Sequence, residues 1–74
     1  MAEKTKNGWV APISGWQTQA RQKPAGILID GGRGNVWLNY AGMGDAPRDG
    51  FELPSDPEML RDIAEAIRRF ADDL

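Results

Sequence analysis

The most distinctive chemistry in this sequence belongs to aromatic and basic side chains in its first half. Trp9 and Trp16 lie seven residues apart, in a Gln-rich stretch that continues to Arg21 and Lys23. Aromatic rings beside cations stack on single-stranded nucleic acid, and they also form the centres of protein interfaces. A third interpretation, in which the rings fill the core of a small domain, stays open. These four residues, together with Arg33, are the candidate partner-binding residues.

Most of the side chains on which enzymes depend are absent or isolated. The chain has no Cys and no His, which excludes disulfides, thiol chemistry, Cys/His zinc sites and histidine acid–base catalysis. No hydroxyl side chain has a base and an orienting group nearby in the sequence to make it a nucleophile. Two carboxylates could still act as a pair, but a domain this small is a poor host for the cleft they need. We therefore expect a protein that is not an enzyme and has no cofactor.

Two segments invite a ligand-site interpretation, and each has a simpler one. Asp45 and Asp49 lack the alternating oxygen ligands of a calcium loop, and Pro47 lies between them, so we expect no metal site. The glycine-rich residues 31–34 would cradle a phosphate only if a helix followed them. The next residues are typical of a strand, so this segment is predicted to be a hairpin turn with Arg33 at its tip.

The C-terminal segment has the clearest periodicity. Its apolar residues recur at spacings of three and four and form a wide stripe, which consists of Met59, Leu60, Ile63, Ala64, Ile67, Phe70, Ala71 and Leu74. Either Ser55 or Asp56 could cap the helix, and Asp56 is favoured because Pro57 suits the first helical position. We expect a helix from about 57 to about 73, with Ile67 among the residues that anchor it.

Upstream of the helix the apolar period changes to two, which indicates strands. Residues 26–30 and 36–40 each place apolar side chains on one face, and the glycine turn joins them into a hairpin at 26–40. Residues 41–50 have no periodicity and are predicted to be a loop. Residues 51–53 are a further short strand, ended by Pro54.

The N-terminal third has a weaker pattern. Residues 9–13 read as an edge strand, since Pro12 cannot donate a ladder hydrogen bond. A turn at Ser14 and Gly15 would lead into a second strand at 16–21. In that hairpin Trp9 and Trp16 would lie on neighbouring strands and share a face.

With 74 residues the chain is long enough for one domain. We expect an α+β fold, a small antiparallel β-meander of three to five strands covered on one face by the C-terminal helix. Residues 1–7 are predicted to be a disordered N-terminal tail and 8–74 the domain. The sequence shows neither a signal-peptide core nor a membrane span, and with Cys absent we expect a cytoplasmic protein.

Charge is divided unevenly along the chain. Residues 1–37 carry a net charge of +3 and residues 38–74 one of −5, which together give −2. A solvated acidic helix would account for this difference. Alternatively, the two regions face partners of opposite charge.

Together these features predict a small non-catalytic protein-binding module that acts as a regulator, adaptor or inhibitor. The alternative is a nucleic-acid-binding protein that uses the basic, Trp-containing N-terminal half, although a pI near 4.9 is low for that class. The wide helical stripe also allows a homodimer, which would enlarge a small core. The Ala-, Arg- and Asp-rich helix is typical of small bacterial or phage proteins.

Overall fold

A computed structural model of the chain shows five antiparallel strands in one sheet, followed by a helix. The structure describes residues 1–31, 34–43 and 50–74. The strands pair in the order of the sequence, as in a meander. This confirms the predicted α+β class. The elements are β1 (Glu3–Lys4), β2 (Gly8–Pro12), β3 (Gly26–Asp30), β4 (Val36–Ala41), β5 (Phe51–Leu53) and α1 (Pro57–Asp72).

The predicted hairpin at 26–40 is formed by β3 and β4. Ile27 pairs with Tyr40 and Ile29 with Leu38, so the apolar residues of both strands share a face as expected. The turn between the strands uses glycine for its backbone freedom, because Gly34 has a φ of 82°. A strand, and no helix, follows these glycines, which rules out the helix-capped phosphate cradle.

The N-terminal segment differs from expectation. Within residues 1–7, predicted to be a disordered tail, β1 pairs with β2 through Glu3 opposite Val10 and Lys4 opposite Trp9. A tight turn connects the two strands, in which the amide of Thr5 donates to the carbonyl of Gly8 at 2.9 Å. Therefore β2 is not an edge strand along its full length. Pro12 is tolerated because β1 is too short to reach it.

The predicted second strand at 16–21 is wrong. Residues 13–25 instead form a long connection between β2 and β3, closed at its ends by a hydrogen bond from the Ile13 amide to the Ala25 carbonyl at 2.9 Å. Inside it Thr18 and Gln22 close a turn in which Arg21 has a φ of 65°. The Thr18 hydroxyl also accepts from the Gln22 amide at 3.1 Å. These local bonds compete with strand pairing, as Ser and Thr side chains often do.

The helix begins and ends close to the predicted residues. Asp56 is the N-cap, in an extended conformation, and its carboxylate accepts from the Glu58 amide at 2.8 Å. Pro57 follows it in the first turn, where its missing amide is not needed. On the solvent side Glu65 and Arg69 form an ion pair at 2.9 Å.

The apolar stripe of α1 is much less buried than expected. No residue of the helix is buried, and Ile67 and Phe70 are 61% and 66% exposed. Leu60 and Ile63, nearer the N-terminus, are half-buried. The helix therefore lies beside the sheet without burying its stripe, and Ile67 does not anchor it to the sheet.

The apolar core is correspondingly small. Within the part of the chain that the structure describes, Leu53 is the one large apolar side chain that is buried, with 8% of its surface exposed. Leu53 ends β5, opposite Val36 of β4. No helix among the described residues is long and apolar enough to cross a bilayer.

Candidate functional site: an aromatic face of the sheet

The strand register assigns every strand residue to one of two faces. Lys4, Trp9, Ile29, Leu38 and Phe51 are successive partners across all five strands and therefore form one row on one face. At about 4.8 Å between neighbouring strands, the row is about 19 Å wide. A second row on the same face contains Ala11, Ile27 and Tyr40. This surface is called the aromatic face below.

The two faces of the sheet differ in charge. The opposite face carries three acidic side chains in its strands, those of Glu3, Asp30 and Glu52. The strand residues of the aromatic face include no acidic side chain, and Lys4 supplies their positive charge. The sheet therefore presents an apolar, weakly basic surface on one side and an acidic surface on the other.

The aromatic rings stand out from an aliphatic floor. Trp9 on β2 and Phe51 on β5 are 52% and 58% exposed, and between them Ile29 and Leu38 are half-buried. Three strand spacings, about 14 Å, separate the two ring-bearing strands. Two exposed rings on either side of aliphatic side chains leave a shallow apolar surface that an extended segment or a helix of a partner could contact.

Trp16 reaches this face from the long connection, although it lies on no strand. Its ring contacts the ring of Tyr40, with centroids 6.5 Å apart and planes tilted by 51°. The prediction that Trp9 and Trp16 lie on neighbouring paired strands is therefore wrong. The loop nevertheless brings Trp16 against a residue of the face that carries Trp9.

The cations near these tryptophans have different placements. The Lys4 ammonium lies 5.7 Å from the centroid of the Trp9 ring, within the range of a cation–π interaction, and it donates to the Gly8 carbonyl at 3.2 Å. Lys23 and Trp16 both line a shallow cavity of about 500 Å³ in the long connection. Arg21 is exposed at the turn after Thr18. Arg33 lies outside the described residues.

A second depression of about 390 Å³ lies against the opposite face, lined in part by Val10, Leu28 and Asn39. The Oδ1 atom of Asn39 is buried and accepts no hydrogen bond among the described residues. Gly50 lies against that oxygen so closely that any side chain at position 50 would collide with it. Because Oδ1 is covered, it offers a ligand no accessible acceptor.

Sequence reasoning found part of this surface. It singled out Trp9 and Trp16, but not Lys4, Tyr40 or Phe51, which complete the face. Tyr40 belongs to the period-two pattern of residues 36–40, which shows a shared face but not that the ring is exposed. Lys4 lay in the predicted tail, and Phe51 in a strand too short to show a period. Only the register, which a single strand does not reveal, places these residues together.

Within residues 1–31, 34–43 and 50–74, no three acidic side chains cluster as metal ligands would. The Asp45–Asp49 segment, considered as a calcium loop, lies outside those residues. No family model, curated protein or solved structure matches this chain.

Proposed function

We propose that this chain is a small non-catalytic protein-binding module, which acts as a regulator, adaptor or inhibitor through the aromatic face. The observation that carries the proposal is the exposure of Trp9 and Phe51 on a face whose strands hold no acidic side chain. Aromatic side chains at the centre of an interface contribute more binding energy than other types. Among the described residues the domain buries one large apolar side chain, so burying these rings as well would stabilise its small core. Their exposure therefore favours a role in binding.

The chemistry of the face defines the partner it fits. The centre is apolar, and the neighbouring charged groups are Lys4 at one end of the row and Lys23 beside Trp16. A complementary partner presents apolar side chains at the centre of its contact and carboxylates at the rim. An acidic amphipathic segment of another protein has both features.

The test compares tryptophan substitutions on the two faces. Trp9→Ala and Trp16→Ala remove rings from the aromatic face, whereas Trp37→Ala removes the same side chain from the opposite face and is the matched control. Proteins captured from source-cell lysate by the immobilised wild type are identified by mass spectrometry. Their dissociation constants are then measured with each variant.

We expect Trp9→Ala and Trp16→Ala each to weaken binding by at least about 30-fold, which corresponds to about 2 kcal/mol. Trp37→Ala should change the dissociation constant less than about threefold, which corresponds to about 0.6 kcal/mol. Equal losses in all three variants, or a loss confined to Trp37→Ala, would contradict the assignment of the aromatic face. Far-UV circular dichroism of each variant separates lost contacts from lost folding.

Single-stranded nucleic acid is a second candidate partner for the same face. The specific observation in its favour is that Lys4 lies over the Trp9 ring and that Lys23 lines the same cavity as Trp16. Bases stack on aromatic rings while cations neutralise phosphates. The acidic opposite face and the overall charge of −2 weigh against it.

Salt dependence distinguishes the two partners. A fluorescently labelled single strand of about 12 nucleotides, a typical length for such sites, is titrated at two salt concentrations. Nucleic-acid binding should weaken steeply as salt rises, since neutralising each phosphate releases counterions. A protein interface centred on Trp9 should weaken little over the same range. Absence of binding at low salt would exclude the nucleic-acid candidate.

A further inference from the structure

The exposed stripe of α1 has the spacing of a helix-pairing surface. Leu60, Ile63, Ile67 and Phe70 of α1, and Leu74 two residues beyond its end, follow one another at alternating steps of three and four residues. This is the a/d pattern along which two helices pack side chains into each other's gaps. Leu60 and Ile63 are half-buried, but the last three are exposed. The part of the stripe that nothing covers therefore continues for two turns beyond the part that is partly covered.

The surface area of the chain supports a large missing contact. The accessible surface is 6239 Å². A compact monomer of this mass exposes about 4,500 Å², so the chain exposes about 1,700 Å² more than expected. A standard interface covers about 800 Å² on each partner, and obligate homodimers cover about 1,000–2,500 Å² on each. The excess is larger than the area that one partner buries in a standard interface, so it leaves room for such a contact even though the open aromatic face contributes to it as well.

The dimensions agree with this surplus of surface. The radius of gyration is 12.7 Å, compared with about 11.3 Å for a compact domain of this length. The chain is thus more extended than a monomeric domain that buries its own apolar surface.

We propose that a second copy of this chain covers the stripe, in a homodimer whose two α1 helices pack against each other antiparallel. A contact between identical stripes is self-complementary and satisfies both copies at once. The contact would also bury apolar surface that each chain leaves exposed. Small domains often gain stability from association in this way.

The residues beside the stripe suit close approach of two identical helices. Ala64 and Ala71 lie on one side of this row of large side chains and Ala66 on the other, so the helix axes can come near each other along its central part. The Glu65–Arg69 ion pair lies away from the stripe, toward solvent. Pairing two such stripes therefore brings no like charges together along their central part.

An antiparallel arrangement fits the shape of the chain. It puts the two sheets at opposite ends of the helix pair. A parallel pair would place both sheets at the same end, where they would compete for space.

This proposal leaves the aromatic face free and does not rest on the proposed function. The dimer uses α1, and partner binding uses the sheet. Each can be tested by a substitution that leaves the other surface unchanged.

The experiment measures the molar mass in solution by light scattering and sedimentation over a range of protein concentrations. Ile67→Glu introduces a charge at an exposed position of the stripe, and glutamate is a good helix former, so the helix itself should remain. Arg68→Glu introduces the same residue one position away, outside the stripe, and is the control. Trp9→Ala is the control for the aromatic face.

We expect twice the chain mass of 8.1 kDa for the wild type, for Arg68→Glu and for Trp9→Ala, and 8.1 kDa for Ile67→Glu with its helical circular dichroism retained. A wild type that stays monomeric at all concentrations would overturn the proposal. So would an Ile67→Glu variant that remains dimeric. A dimer dissociated by Trp9→Ala but not by Ile67→Glu would show that the copies meet through the aromatic face instead.

Helix direction is tested by single cysteines, since the chain has none of its own. In an antiparallel pair centred near Ile67, two copies of Ile67→Cys lie close enough to form a disulfide. Two copies of Met59→Cys lie about 24 Å apart along the axis, beyond the reach of about 7 Å between Cα atoms. Cross-linking at 67 and not at 59 supports the antiparallel pair, and cross-linking at both positions overturns it.

Discussion

Truncating two residues of the same short strand should destabilise the chain to very different extents. Leu53 and Phe51 both lie in β5 and on the same face, but Leu53 is 8% exposed and Phe51 is 58% exposed. Replacing each by alanine tests whether this face is covered at Leu53 and open at Phe51. Alanine is a poor strand former in both variants, so that contribution largely cancels in the comparison.

The expected losses follow from burial. Leu53→Ala empties a filled position, and such changes cost about 2–5 kcal/mol. Complete burial of a phenylalanine side chain contributes about 1.5–3 kcal/mol, so Phe51, less than half buried, should lose about 1 kcal/mol. A chain of 74 residues has a total stability of about 4–11 kcal/mol. Leu53→Ala therefore removes a large part of that stability, and Phe51→Ala only a small part.

The assay is urea denaturation followed by far-UV circular dichroism, with all variants at one protein concentration. Residue type alone ranks the two changes the other way, since losing a buried phenylalanine usually costs more than losing a buried leucine. If Phe51→Ala destabilises the chain as much as Leu53→Ala, the ring is covered and the aromatic face is not an open surface. That result would remove the main support for the proposed function.

Three further results are expected from local geometry and charge. Asp56→Ala should lower the free energy of unfolding by about 1 kcal/mol, because the cap bond to the Glu58 amide is lost. The control variant is Glu65→Ala, which removes an exposed ion pair and should lower the free energy of unfolding less. Gly8→Ala should abolish folding because a Cβ there would collide with the Ile29 carbonyl. Gly34 has open space around it, so Gly34→Ala should cost only the strain of a positive φ, about 1–2 kcal/mol. Thermal melts compare the two variants. Millimolar calcium or EDTA should leave the melting temperature unchanged, and a rise with calcium would reveal a metal site.

The elements that local sequence encodes strongly were predicted well. The β3–β4 hairpin follows from period-two alternation around a glycine turn, and the helix from its three-four spacing and the Asp56–Pro57 start. In each case residues near one another in the sequence carry the complete signal. Their positions therefore needed no knowledge of the rest of the fold.

The N-terminal third could not be predicted in the same way. β1 is two residues long and is held by its pairing with β2, so its own residues show no period. The long connection between β2 and β3 carries an alternation at 16–21 that local hydrogen bonds at Thr18 override. The formation of β1 depends on pairing with another segment, and the loop at 16–21 depends on local hydrogen bonds to the backbone. A pattern of apolar residues contains no information about either interaction.

The burial of the helix was the least predictable feature, for a physical reason. An amphipathic stripe shows that a helix has an apolar partner, but not whether that partner lies in the same chain or in another. Here the stripe includes exposed residues such as Ile67 and Phe70, and the aromatic face of the sheet is also uncovered. A monomer could have used one of these surfaces to cover the other, which would have buried both. Since they remain apart, each is available for a separate contact, and this separation lets one small chain both pair with a copy of itself and bind a different partner, as we propose.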